Sequence, residues 1–324
     1  MESTLTVGVA QIAPVWLDRK STTEKMLSCI AEAAEKRCDL VVFGEALLPG
    51  YPFWLELTGG AVFNSPVQKE IFAYYVSQAV TISAGDLEPI RKLAGEKSIS
   101  VIFGFIERAE DRGGHSLFCS LASIGKDGQL QYVHRKLMPT YEERLVWGTG
   151  DGHGLQVRKL NDFTVGALNC WENWMPLTRS ALYAQGEDLH IALWPGGVRN
   201  TIDITRFMAL ESRSFVVSVS GLLSRNDIGD SLPYSTKIRQ NSQDDWLADG
   251  GSCIAGPDGA WIMEPVPFKE GLFVYVLQHR KILEERQNFD PSGHYARPDV
   301  LKLFVSRERQ RPVSFKDERD ILSD

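Results

Sequence analysis

Phe163-Thr-Val-Gly-Ala-Leu-Asn169 is a short apolar run that stops abruptly at Cys170-Trp-Glu172-Asn-Trp174. Asn161-Asp162 before it reads as a hairpin turn, so the run is a strand that returns from a neighbour. After it, Leu177 to Gln185 has helical spacing. Leu189 to Trp194 reads as a strand, about Ile202 to Ser212 is helical again, and Phe215 to Ser220 is another strand. Strands that alternate with helices in this way pair in parallel through crossovers. The reactive thiol of Cys170 then falls at the carboxyl end of a strand, where α/β sheets form their ligand crevices.

The rest of the chain fits the same frame. Leu5 to Ile12 reads as a strand, and Ser21-Thr-Thr-Glu24 has capping-box spacing ahead of Met26, Ile30, Ala33 and Ala34 at helical intervals. Leu40 to Phe43 and Ile99 to Phe105 are buried strands, with helical patterns over about Pro66 to Val80 and Leu87 to Lys97. Asp127-Gly128 and Pro257-Asp258-Gly259 mark hairpin turns. A last strand over about Leu272 to Leu277 precedes a charged helix ending near Gln287. The pattern predicts an α/β protein with a mixed sheet or two sheets. No repeat or linker divides it, so we expect one domain over 1–305. A charged tail over 306–324 is expected to be disordered or to serve in subunit contacts.

Composition narrows the function classes. The chain has 324 residues, 43% of them hydrophobic and 24% charged, and a formal net charge of -7. That is ordinary for a globular protein, and an acidic surface with no basic run argues against nucleic acid or membrane as partner. No apolar stretch reaches the roughly 20 residues that a membrane span needs. Met1 to Leu5 lacks the basic and apolar regions of a signal peptide, so the expected location is cytoplasmic. Five cysteines, odd in number and widely spread, fit free thiols in a reducing compartment. The histidines and cysteines show neither HExxH nor CxxC spacing, so no metal is expected. Gly148-Thr-Gly-Asp-Gly-His-Gly154 lacks the Lys-Ser/Thr of a phosphate loop and reads as a turn. No G-x-S-x-G elbow supports a serine hydrolase.

Three polar residues follow apolar strands: Glu45, Lys136 and Cys170. A free thiol titrates at roughly 8.5 and is mostly protonated at neutral pH, so a nucleophilic cysteine needs a base or a nearby cation. Glu45 could supply the first and Lys136 the second. Each alone also has a structural explanation: a cap, a surface amine, a buried inert thiol. Cys29, Cys38, Cys119 and Cys253 lie in helical or strand-like apolar segments and read as inert.

Three longer motifs carry a resemblance. Phe43-Gly-Glu45-Ala-Leu-Leu-Pro-Gly-Tyr-Pro52 resembles the first signature of the nitrilase (carbon-nitrogen hydrolase) superfamily. The second signature resembles the stretch from His134-Arg-Lys136 through Glu143 to Gly152, and the third resembles Asn169-Cys170-Trp-Glu172 to Arg179. They stand in the family's order, and the likeness runs from about Leu5 to Asp299, including Gly293-His294-Tyr-Ala-Arg-Pro-Asp299. Gly44 departs from the Pro that many members have there. Cys-Trp-Glu is similar to the nitrilase branch in particular.

The resemblance implies a four-layer α-β-β-α sandwich with two mixed sheets. It implies Cys170 as nucleophile, Glu45 as general base, Lys136 as electrostatic stabiliser and Glu143 as a second glutamate that positions the substrate or the lysine. An ion pair of Glu143 with Arg144 or Lys136 is the structural reading of that residue. No cofactor is needed. Tyr51, Trp54, Trp171, Glu172, Trp194 and Pro195 are the expected substrate-binding residues, for an aliphatic or arylaliphatic nitrile; a core role is the other reading of the aromatics. The expected activity is hydrolysis of a nitrile to acid and ammonia through a covalent thioimidate and thioester. An amidase or N-carbamoyl hydrolase, or a cyanide-degrading enzyme, would share the scaffold, and assays on nitrile and amide panels separate them. A catalytically silent scaffold is the reading from another class; it predicts no selectively reactive, substrate-protected Cys170. The resemblance also implies a homo-oligomer, a dimer or a larger spiral.

Overall fold

The structure, a computed structural model, describes residues 3–313. In the first half, β1 (Thr4–Gln11), α1 (Arg19–Glu35) and β2 (Leu40–Phe43) are followed by three helices, α2 (Trp54–Thr58), α3 (Pro66–Gln78) and α4 (Glu88–Lys97). Then come β3 (Ser100–Arg108), β4 (Leu117–Ile124) and β5 (Leu130–Arg135). The second half holds β6 (Arg158–Leu160), β7 (Phe163–Asn169), α5 (Pro176–Tyr183), β8 (Leu189–Trp194), α6 (Val198–Ser212), β9 (Phe215–Ser220) and β10 (Leu222–Ser224). It continues through α7 (Ser235–Asn241), β11 (Trp246–Ala255) and β12 (Trp261–Pro267). β13 (Gly271–Gln278) and α8 (Arg280–Arg286) return to the first half.

The strands form two mixed sheets, ordered β13-β1-β2-β3-β4-β5 and β10-β11-β9-β8-β7-β6, with β12 paired to β11. β1, β2 and β3 are parallel, as are β7, β8 and β9, while the flanking strands are antiparallel. Alternation along each strand sends side chains to two different layers. Val7, Val9, Leu40 and Val42 meet Ile191, Leu193, Val217 and Val219 between the sheets. Val41, Phe43, Val101 and Phe103 point the other way, onto Met26 and Ile30 of α1 and Ile90 and Ala94 of α4. On the far face of the second sheet, Ala192, Trp194 and Val216 pack on Ile204 and Met208 of α6, and Leu168 packs on Leu182 of α5. The result is the four-layer α-β-β-α sandwich that the resemblance implies.

Most elements fall where the sequence placed them, and the differences have physical reasons. Helix α1 begins at Arg19 because Asp18 takes the cap: its carboxylate accepts the Ser21 N–H at 3.0 Å, which leaves Ser21 and Glu24 inside the helix. Strand β11 is interrupted in sequence by Gly250-Gly251, both at positive φ, and a side chain at Gly251 would strike the Val198 backbone. Among the described residues no helix is long and apolar enough to cross a membrane. The expected tail divides. Arg309 pairs with buried Asp151 at 3.0 Å and Arg112 donates to the Gln310 carbonyl, so this part lies against the body. The remainder, 314–324, lies outside the described residues.

Candidate active site

Glu45 stands two residues beyond β2. Its N–H donates to the Trp194 carbonyl of the second sheet at 3.1 Å, and the Gly44 carbonyl accepts from Gly104 N–H at 3.1 Å. Gly104 on β3 has no room for a side chain: a Cβ there would lie 2.6 Å from the Glu45 Cα and 2.5 Å from Ala46 N. Lys136 follows β5 and is fixed by its N–H to the Cys119 carbonyl and by Gly150 N–H to its own carbonyl, both 2.8 Å. Gly150 is needed for that approach, since a Cβ would lie 2.2 Å from the Arg135 carbonyl oxygen. The glycine-rich run after the second motif is therefore a turn pressed against β5. Cys170 follows β7 at φ +48 and opens the 3-10 turn Cys170–Trp174. A residue other than glycine rarely adopts that backbone, and here it holds the sulfur at the strand end.

The four side chains converge from both sheets. The Lys136 ammonium lies 2.8 Å from Glu45 Oε1 and 2.7 Å from Glu143 Oε2, and all three side chains are buried. The Glu143 reading as an ion pair with Lys136 is met, whereas Arg144 donates to the Pro139 carbonyl instead. A carboxylate oxygen of Glu45, one of Glu143 and the Cys170 sulfur lie within 4.8 Å of one another. Such a trio could ligate a cation, but the ammonium bonded to both carboxylates already supplies the positive charge.

Electrostatics follow from that packing. Burial pushes Glu45 up to about 7, against the pull of Lys136 and with the repulsion of Glu143. Burial opposes the Lys136 ammonium, yet Cys170, Glu45 and Glu143 outweigh it and hold the amine protonated well above its usual range. Burial raises the Cys170 thiol, Glu45 raises it further, and Lys136 and the Trp171 N–H pull it back. The resting set is a thiol, a lysine cation and a glutamate poised near neutrality. It can deprotonate the sulfur only as the sulfur attacks, and then hold negative charge beside an ammonium and a backbone N–H.

A cavity of about 550 Å³ opens onto Cys170, and Tyr51, Trp171 and Pro195 line it as the sequence predicted. Three other predicted pocket residues do not line it. Trp54 is fully buried against Trp16 and Tyr75, because α2 turns its indole into the core. Trp194 is the outward-facing end of β8, packed among Ile204 and Met208 beneath α6, and its indole N–H donates to Ser218. Glu172 is 1% exposed and bonded to backbone and His134, so it cannot meet a substrate. Phe53, which also follows Glu45 closely, lines the cavity, and Leu247 and the polar Glu56, Glu142, Arg199 and Asn200 join it.

Several supporting residues were missed. Tyr51 does more than line the wall: its hydroxyl lies 2.9 Å from Glu143 and 3.2 Å from Glu142. Cys119, read as inert, donates its thiol to Glu45 at 3.4 Å. Trp147 packs edge-on to Tyr51 and near the Lys136 ammonium. Asn173 donates to the Cys170 carbonyl at 2.8 Å and accepts from His190, which faces Glu187. The signal for Asn173 was available, three residues beyond the cysteine in the same short turn. Nothing in the sequence joins Cys119 to Glu45.

The pattern of the carbon-nitrogen hydrolase family matches residues 6–284. Nitrilase 2 of an unknown prokaryotic organism is 34% identical over 320 residues, 97% of this chain and 96% of its own. An aliphatic nitrilase of Rhodococcus rhodochrous is 33% identical over 330 residues, covering 96% of this chain and 85% of its own. Among solved structures, a carbon-nitrogen hydrolase from Helicobacter pylori G27 superposes with a TM-score of 0.68 at 19% identity, over 94% of this chain and all of that one.

Proposed function

The chain belongs to the carbon-nitrogen hydrolase family, in its nitrilase branch, and from that premise we infer that it hydrolyses an organic nitrile to the carboxylic acid and ammonia. The observation that carries the assignment of roles is the buried cluster of Glu45, Lys136, Glu143 and Cys170, of which Glu143 and Cys170 line one cavity.

The Cys170 sulfur attacks the nitrile carbon while Glu45 takes the thiol proton, and that proton passes to the nitrogen to give a thioimidate. Lys136 and the Trp171 N–H face the charge that develops on nitrogen. A water, deprotonated by Glu45, adds to the thioimidate carbon. The nitrogen gains one water proton on addition and the second from the adduct's hydroxyl as the C=O forms, so the tetrahedral adduct collapses with loss of ammonia and leaves a thioester. A second water releases the acid and restores the thiol. Collapse with loss of the thiol instead gives the amide. Glu143, held by Lys136, Tyr51 and the Thr140 N–H, keeps the ammonium in place. Tyr51, Trp171 and Pro195 are the substrate-facing walls in this reading.

The test is Cys170→Ala assayed on nitrile and amide panels with acid, amide and ammonia all quantified. The variant should fold and release no ammonia. Activity within about tenfold of wild type would remove Cys170 as nucleophile, a role whose loss elsewhere costs many orders of magnitude. A wild-type enzyme that cleaved only amides would move the reading to an amidase.

We propose further that residues to about 305 form one catalytic domain, which the single core between the sheets supports. We also propose a homo-oligomer. Leu177 on α5 and Ile202, Phe207 and Leu210 on α6 are exposed apolar side chains on the outer helical layer, a surface suited to a second copy.

A further inference from the structure

We propose that Glu172 is a positioning residue that sets the separation of Lys136 and Cys170 by clamping the two sheets together at their strand ends. The inference rests on the roles given above to those two residues.

Lys136 extends β5 of one sheet and Cys170 extends β7 of the other, so their separation is a property of how the sheets dock. Face-to-face apolar packing is non-directional and tolerates small slides. Glu172 removes that freedom. Its Oε1 accepts the N–H of Leu137, the residue after Lys136, at 2.7 Å. Its Oε2 accepts the N–H of Asn169, the residue before Cys170, at 3.0 Å. His134 Nε2, two residues before Lys136, lies 2.9 and 3.1 Å from the two oxygens. One carboxylate thus ties both flanks of the reacting pair, with every bond directional.

The chemistry of the group fits a clamp better than a stabilising core residue. Both His134 and Glu172 side chains are wholly buried. Burying a carboxylate costs hydration free energy, and apolar side chains of like volume are often no less stable there. Burial alone would raise the Glu172 carboxyl, but His134 and the N–H donors from Leu137 and Asn169 outweigh it and keep the acid ionised. The ionised carboxylate accepts from both backbone N–H groups, one on each oxygen. A carboxamide of the same shape has one acceptor, so its NH₂ would face either the Leu137 or the Asn169 N–H, and one side of the clamp would open.

A reacting pair displaced by about 1 Å loses roughly 100-fold in rate. Glu172→Gln should therefore fold, lower kcat by about 100-fold and leave KM within about threefold, because the residue touches no substrate. Cys170 should also react more slowly with iodoacetamide, by about tenfold or more, since the ammonium and N–H that favour the thiolate are misplaced. Folded Glu172→Gln with kcat and alkylation both within about threefold of wild type overturns the proposal. A raised KM with unchanged kcat overturns it too, as the mark of substrate contact. If Glu172→Gln does not fold, His134→Leu and His134→Gln decide. The Gln side chain keeps a donor for Glu172, so kcat lost with Leu and restored with Gln supports the clamp, and equal kcat in both overturns it. Should the wild-type protein hydrolyse no nitrile, the functional reading fails, while the alkylation rates still test the clamp.

Discussion

Glu45, the proposed base, illustrates what burial does to a carboxylate. Exposed, it would be ionised well below neutrality and too weak to take a thiol proton; inside the sandwich it is pushed up to about 7. The base works in its proton-free form. The rate should therefore fall as pH drops through about 7, approaching tenfold per unit, with an apparent value that belongs to the coupled Glu45–Lys136–Glu143 set. A profile of kcat/KM from pH 5 to 8 checks this, and a flat profile would show that Glu45 is not the base. Residue types and motif order were enough to nominate Glu45, Lys136, Glu143 and Cys170. They could not separate Glu172 from the pocket residues, because a carboxylate beside the nucleophile reads the same whether it faces a substrate or a backbone N–H.

At the level of elements, the site depends on strand ends held close by glycine. The Glu45 backbone crosses β3 where Gly104 stands, and a Cβ there would sit 2.5 Å from Ala46 N and 2.7 Å from the Gly44 carbonyl oxygen. Gly104→Ala must shift the Glu45 backbone and with it the contact to Lys136. We expect a destabilisation of about 1–3 kcal/mol, as for other overpacked sites, together with a kcat loss of about tenfold or more from the displaced base. Thermal unfolding and ammonia-release kinetics measure the two separately; an unchanged kcat would show that Glu45 tolerates the shift. The strands themselves were legible: β8 and β9 match the sequence reading at both ends because largely apolar, β-branched-rich segments set between helical patterns leave little choice. The short helices α2 and α7 were not, since neither carries enough turns for a period to show.

At the scale of the whole molecule, the outer helical layer presents apolar side chains that a second copy would cover. Replacing Leu177 and Phe207 together with Glu should lower the mass measured by light scattering, because like charges would face each other across a two-fold contact. A wild-type protein that is monomeric at micromolar concentration would end the oligomer proposal. Alternating apolar positions and turn residues were determined by the sequence by itself, and the three ordered motifs carried the resemblance that implies the sandwich and nominates the reacting groups. Local patterns carry these because period, turn and motif are properties of neighbouring residues. The tertiary structure alone decided that Trp54 and Trp194 are core, that Cys119 and Trp147 border the site, and that Glu172 faces inward to brace both sheets. Those facts arise only where β5 and β7 meet across the sandwich, and no spacing along one chain records which side chains a sheet-to-sheet contact will bring together.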